Sequence, residues 1–332
     1  MRPTVLRRAA YEVFSRSAKT SQRSRAALNV GESRQVDYLR RELAARTVDR
    51  LSVIKREFPE IVDFGAGAGY IEQEMCQDNE SASIVYERQK NSHFTLVETS
   101  KHLLNRDIDE PFNSKLDITR INEDEETFHP GANIVDAVFT SGSMHWINDL
   151  PGVLKNINTM LKPDGLFLGN MVGGDSLFEL RTSLQLAEME RHGRASPRLS
   201  PLAGASDVGN LMQQANFKLL TIDVEDIIVD YPDSFALIED LRSMGENNAV
   251  KMRPNSVSRE LLLAANAIYH EMHGNPDGTI PATFRIVHMV GWKHSDNQSK
   301  PIKRGSGKIN MKDIGPLADM AEDEANSRNQ KK

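Results

Sequence analysis

Ile61-Val62-Asp63-Phe64-Gly65-Ala66-Gly67-Ala68-Gly69-Tyr70-Ile71-Glu72 decides how the rest of this chain is read. Residues 61–64 are apolar but for one acid, as in a strand end buried between two helical layers, and from Tyr70 a helix-compatible pattern begins. Between them stand three glycines at alternate positions, Gly65, Gly67 and Gly69. Glycine tolerates positive φ and has no Cβ, so a ligand can lie against the backbone amides at the start of the following helix. That describes a nucleotide cradle, although an ordinary tight strand-to-helix turn uses the same residues.

Spacing narrows the choice of nucleotide. A dinucleotide fingerprint needs a third glycine where Tyr70 stands, and no Lys-Ser/Thr follows to make a phosphate loop. An acid two residues before Gly-x-Gly-x-Gly is instead the pattern of class I methyltransferases, which hold S-adenosylmethionine. That ligand carries an ammonium group and no phosphate, so the Asp63 carboxylate suits it where a diphosphate would be repelled.

The alternation of strand and helix extends outward from this turn. A second strand over 93–97 ends at Glu98, placed to accept both ribose hydroxyls. Because Glu98 lies farther from the glycines than the usual ~20 residues, Glu87 stands as the alternative. A third strand over 116–121 runs into the acids 123–126, read mainly as a solvated loop with Asp124 available to the adenine amino group. After a fourth strand over 134–140 comes Ser141-Gly142-Ser143-Met144-His145-Trp146, at the sheet edge where open α/β folds bind ligands. Ser143, His145 and Trp146 are therefore candidates to touch substrate or cofactor, or to pack the loop down.

The pattern predicts one or two helices over 35–58, the tail of the helix after the glycine turn plus a loop over 75–92, and a fifth strand over 166–170. Farther on it predicts a helix near Asp175 with Ser176 and Glu179 at capping-box spacing, then two edge strands over 217–224 and 227–231. Helices over 233–244 and 258–273 should be capped by Gly245 and Gly274, before a last strand over 283–292. The expected fold is α/β: a doubly wound, mostly parallel, seven-stranded class I methyltransferase (Rossmann-like) sheet over 35–294, with helical insertions in the C-terminal half.

Composition sets the boundaries. With 41 Lys+Arg against 47 Asp+Glu in 332 residues the net charge is −6, and no basic stripe invites nucleic acid. One cysteine, Cys76, permits neither an internal disulfide nor a cysteine zinc site. No apolar run approaches the ~18 residues of a membrane span. Residues 1–30 carry seven basic residues against Glu12, the composition of a mitochondrial targeting segment or an unstructured basic arm. Residues 295–332 are polar and expected to lack fixed structure. No Gly-x-Ser-x-Gly elbow is present, Cys76 has no histidine beside it, and His294-Ser295-Asp296 has no downstream histidine to complete an iron site. His270 and His273 share a helix face without a third ligand, so no metal site is expected.

Longer blocks carry a closer resemblance. Val13-Phe14-Ser15-Arg16, Asp37-Tyr38-Leu39, Met144 through Pro151, Leu161-Lys162-Pro163-Asp164-Gly165, Gly173-Gly174-Asp175-Ser176-Leu177, Met244-Gly245-Glu246 and Pro281-Ala282-Thr283 resemble the mitochondrial complex I assembly factor 5 family. The resemblance implies a methyltransferase-like fold that hydroxylates an arginine on the complex I core subunit carrying the terminal iron–sulfur cluster. It implies work beside other assembly factors at the matrix face of the inner membrane, in peripheral association with it. His145 is the first candidate for the reacting site, since an imidazole serves as base or ligand near neutral pH. Ala66 stands where that family commonly has Cys, and Glu98 where it has Asp. The rival readings are an S-adenosylmethionine-dependent methyltransferase of a protein or small molecule, and a non-catalytic assembly chaperone.

Overall fold

In the computed structural model, residues 12–254, 256–298 and 305 are described. Seven strands form one sheet: β1 (Glu60–Phe64), β2 (His93–Val97), β3 (Asp117–Ile121), β4 (Val135–Ser141), β5 (Leu161–Val172), β6 (Phe217–Tyr231) and β7 (Ile280–Lys293). Their order is β3-β2-β1-β4-β5-β7-β6. The first five pair in parallel, and β7 runs antiparallel to both β5 and β6. The expected doubly wound sheet is what the chain builds. Its strand order reverses between β1 and β4, so the C-terminal ends of these two strands open the crevice that such folds use for ligands.

Period-two alternation sends neighbouring side chains to opposite faces. Ile61, Phe94, Phe139 and Leu168 join one apolar cluster, while Val62, Phe64, Val97, Val138 and Phe167 join the other. Both faces are covered by helices, which is why these strands read as continuous apolar runs.

The helices are α1 (Arg16–Leu28), α2 (Val30–Gln35), α3 (Tyr38–Ser52), α4 (Tyr70–Met75), α5 (Glu80–Gln89), α6 (Lys101–Leu104), α7 (Phe112–Lys115), α8 (Leu150–Met160), α9 (Phe178–His192), α10 (Ala205–Gln214), α11 (Ser234–Ser243) and α12 (Arg259–His273). α9, α11 and α12 lie with Tyr231, Ile280 and Phe284 in a third apolar cluster, which forms the expected helical addition of the C-terminal half.

Several local expectations are corrected. Residues 75–92 are not a helix tail and loop: α4 ends at Met75, and Asn79 accepts the Ala82 amide at 2.8 Å and starts a separate helix, α5, whose Ala82 and Val85 are buried. The two edge strands over 217–231 are one, β6, with a register shift between Lys218 and Thr221. Glu225-Asp226 did not interrupt it because Asp226 pairs with Arg285 of β7 and Glu225 with Arg46 of α3. Ser176 and Glu179 form no capping box. Ser176 bonds the Arg285 backbone, and Glu179 bonds Thr283, so both staple α9's start to β7. Gly245 is left-handed with φ +75°, as a C-terminal cap requires, whereas Gly274 is extended.

The N-terminal expectation changes most. Residues 16–28, assigned to an unstructured or targeting segment, form α1, capped by Ser15. Its buried seam is Lys19, Arg23 and Ala27, a charged stripe turned inward. Residues 1–11 of that segment, and 299–304 and 306–332 of the polar tail, lie outside the described residues. No described helix is long and apolar enough to cross a membrane.

Candidate functional site

The glycine turn has the backbone its sequence requires. Gly65, Gly67 and Gly69 sit at φ +78°, +60° and +86°, where any other residue would be strained by roughly 1–2 kcal/mol. A Cβ on Gly65 would lie 2.1 Å from Ser143 Oγ, and one on Gly67 2.6 Å from the Tyr70 ring. Beneath the turn lie two buried acids, Asp63 at the end of β1 and Glu72 in α4. Asp63 Oδ1 and the Glu72 carboxyl oxygens take no donor from any other residue, and the two carboxyls share a proton between them. Burial, then the charges of Glu72 and Glu98, push Asp63 well above the usual carboxylate range, and burial raises Glu72 to about 7.

A second set of acids lines the same crevice and is fully paired. Glu98, just past β2, accepts the Ser100 amide at 3.0 Å, the Thr99 hydroxyl at 3.0 Å and Arg23 Nη1 at 3.1 Å. Burial opposes its ionisation, but Arg23 and these donors outweigh it and hold Glu98 below its ordinary pKa. Glu87, the alternative, is an exposed residue of α5 paired with Lys90. Asp124 takes a two-pronged contact from Arg16, at 2.8 and 3.1 Å. Glu125 corrects the solvated-loop reading: it is fully buried, accepts the Ser143 hydroxyl at 3.1 Å, and pairs with Arg16.

The third group centres on Glu246, in the turn after α11. Arg40 donates to its Oε1 at 2.7 Å, Trp146 Nε1 donates to its Oε2, and His145 Nε2 stands 3.5 Å away. Burial resists the charge, yet Lys19, His145 and Arg40 hold Glu246 well below its ordinary pKa. The Lys19 ammonium lies 3.4 Å from the Trp146 ring centroid and donates to the carbonyls of Gly245 at 3.0 Å and Asn247 at 2.8 Å. Burial pulls the His145 pKa below its ordinary value, so the imidazole is neutral near pH 7, and its Nδ1 is buried without a hydrogen-bond partner. His145, Trp146 and Glu246 form one wall of a cavity of about 320 Å³ whose other walls include Leu180, Leu184, Leu199 and Phe284. The remaining link is Tyr70, whose hydroxyl accepts from Arg40 at 3.2 Å and ties the glycine turn to the Glu246 group.

Whether this crevice fits S-adenosylmethionine turns on its unsatisfied atoms. The Asp63 carboxyl beside the left-handed glycine turn takes no donor but the Glu72 carboxyl, and a ligand ammonium placed there would favour its ionised form. Glu98 stands at a strand end, where a ribose would be gripped, with Arg23 now on it. The donor set fits the group.

Comparison with known proteins agrees with this geometry. The family profile described as a methyltransferase domain matches residues 36–222, so the chain belongs to the methyltransferase-domain class. It is 42% identical to a Danio rerio protein named arginine-hydroxylase NDUFAF5, mitochondrial, over 94% of this chain and 92% of that one. The Homo sapiens protein of the same name is 40% identical over 92% of this chain and 84% of its own length. Within the methyltransferase-domain class, the chain belongs to this mitochondrial arginine-hydroxylase family. Among solved structures, the YcgJ protein from Bacillus subtilis is similar at a TM-score of 0.49 and 12% identity, covering 75% of this chain and 99% of that one.

The structure links the glycine turn, Glu98, Asp124 and Ser143 at neighbouring strand ends through Arg16, Arg23 and Glu125, while His145 and Trp146 line the cavity of about 320 Å³, whose walls do not include Asp63, the three glycines or Glu98. Sequence reasoning missed Glu125, Glu246 and the cations Arg16, Lys19 and Arg23. Their signal was present in two forms: the block Met244-Gly245-Glu246, and basic residues at i, i+3 and i+7, which is one face of a helix. Among the described residues no group of three or more His, Cys, Asp or Glu is arranged to hold a metal.

Proposed function

We propose that this chain is a mitochondrial arginine hydroxylase that modifies a core matrix-arm subunit of complex I, the one carrying the terminal iron–sulfur cluster, during assembly at the matrix face of the inner membrane. The observation that carries this reading is the 42% identity to a named arginine-hydroxylase along nearly the whole of both chains. Fold alone would not carry it, because one fold hosts many chemistries. Substrate and other assembly factors would meet the protein peripherally.

In this reading Gly65, Gly67, Gly69 and Asp63 hold the amino-acid part of S-adenosylmethionine, Glu98 its ribose, and Asp124 its adenine. Bound there, the group supplies a sulfonium-activated carbon centre. The chain's own contribution lies at the cavity wall. With Nε2–H facing the Glu246 carboxylate, His145 keeps the Nδ1 lone pair available to take a proton. The walls are mostly apolar, which strengthens the polar contacts that line the cavity.

Two measurements test this. Gly67→Val forces a branched side chain onto positive φ and into the Tyr70 ring, and calorimetric titration should then show S-adenosylmethionine binding lost. No heat with the unaltered protein sinks the cofactor assignment. Mass spectrometry of complex I subunits from cells lacking the protein should show one arginine short of one oxygen, and His145→Ala should reproduce the loss. A methyl group lost instead supports the methyltransferase reading, which the family profile over 36–222 favours. No change in any subunit mass leaves the chaperone.

A further inference from the structure

α1 is an unusual element to bury. Its inward seam is Lys19, Arg23 and Ala27, with no large apolar side chain, so charge rather than hydrophobic burial seats it. Burial pulls the Lys19 pKa well below its ordinary value, opposed by the Glu246 charge. Arg23 Nε and Gln22 Oε1 are buried without hydrogen-bond partners. A helix held by ion pairs with unsatisfied atoms, and with little apolar contact, belongs to the part of a protein that opens most readily.

What Lys19 occupies is a built cation site. The Trp146 ring face lies under the ammonium, two carbonyls accept from it, and the Glu246 carboxylate is 3.8 Å away. None of these groups is specific to lysine. A guanidinium is planar and weakly hydrated, stacks on an aromatic face better than an ammonium, and offers five donors in a fixed fork to several acceptors. The same wall, Trp146 with His145 and Glu246, borders the apolar cavity, which has room for residues flanking an arginine.

We propose that the Trp146 face, the Glu246 carboxylate and the carbonyls of Gly245 and Asn247 form the guanidinium subsite for the substrate arginine, and that Lys19 of α1 holds this subsite closed in the resting protein. The assignment rests on the arginine-modifying reading above. It makes α1 a substrate-like plug: an arriving arginine displaces Lys19, and the same helix movement lifts Arg23 from Glu98, where the ribose would be held. Closing of the arginine and cofactor sites is thereby coupled through one helix.

The test uses Nα-acetyl-arginine methylamide as probe, with the isosteric neutral citrulline compound as control, titrated against the full chain. Lys19→Met keeps the volume and removes the competing charge, so it should bind the arginine probe at least tenfold more tightly than the unaltered protein. The citrulline probe should bind neither. Adding Trp146→Leu to Lys19→Met should return affinity to the unaltered level. Equal arginine affinity with and without Lys19→Met, or equal binding of both probes, overturns the proposal. Hydrogen exchange on the unaltered chain needs no variant to fold: excess arginine probe should deprotect the amides of residues 19–28, and unchanged protection also overturns it. Failure of the hydroxylase reading is distinguishable, since a subunit arginine that keeps its oxygen without this protein removes that reading while probe binding still stands or falls by itself.

Discussion

Two sets of buried carboxylates flank the same crevice and are treated in opposite ways. Asp63 and Glu72 lie under the glycine turn with no cation and only each other as hydrogen-bond partner, and burial drives both toward the protonated form. Glu98, fully buried, and Glu246, whose side chain keeps 16% exposure, are held ionised by Arg23, Lys19 and Arg40. The first set is neutralised by protons that a cation can replace, and the second by cations that the chain itself supplies. A buried acid without a cation is the better place for a cationic ligand, and one with a cation is the better place for exchange.

The comparison breaks most severely at Glu246. Glu246→Ala would take the carboxylate from Arg40, which lies over the Tyr70 ring, and from Lys19, over the Trp146 ring, and losing one partner of a largely buried pair costs up to about 3 kcal/mol. Urea unfolding should show this as a lower midpoint. A loss below ~1 kcal/mol would mean that the cations are solvated rather than paired.

The open pair is tested by pH. Glu72 has a folded-state pKa of about 7 against an ordinary 4.5. Below the ordinary value both folded and unfolded chains hold the proton, and nothing is lost. Between the two values the unfolded chain releases it while the folded chain keeps it, so stability falls as pH rises through this window. The fall is on the order of 3 kcal/mol and is complete above about pH 7. Glu72→Gln should make the decline between pH 4.5 and 7 shallower in unfolding measurements, the remainder belonging to Asp63. A decline that persists unchanged in the variant assigns it to another group.

These two sets were not equally legible in the sequence. Asp63 and the glycines announce themselves because the turn is local: acid, positive-φ glycines and helix start all lie within twelve residues. The sheet was legible for the same reason, since each strand carries its own period. Glu125 was hidden in a run of acids, where a solvated loop is the ordinary outcome, and only the approach of α1 from more than a hundred residues away makes it buried. The α1 cations were read as part of a targeting or unstructured segment, because an Arg-rich, acid-poor composition does not tell whether its residues pack as a helix. Glu246 stood between two helices, and its four partners come from α1, α3 and the turn after β4.

The smallest effect is expected where the comparison is most pointed. Lys19→Met replaces a buried ammonium by an apolar chain of similar length. Glu246 keeps Arg40 at 2.7 Å and the Trp146 donor, so its charge is not stranded. The new side chain regains contact with the Trp146 face, and the desolvation of the ammonium disappears. Exchanging a buried ion-pair member for a hydrophobic residue of similar volume is often neutral or stabilising when the partner retains its other bonds. The carbonyls of Gly245 and Asn247 lose a donor, which costs about 1 kcal/mol each unless water replaces it. These opposing effects leave a net change within about 1.5 kcal/mol of zero, read from thermal or urea unfolding. A destabilisation as large as that of Glu246→Ala would show that Lys19 is a structural strut and not a replaceable occupant of the box.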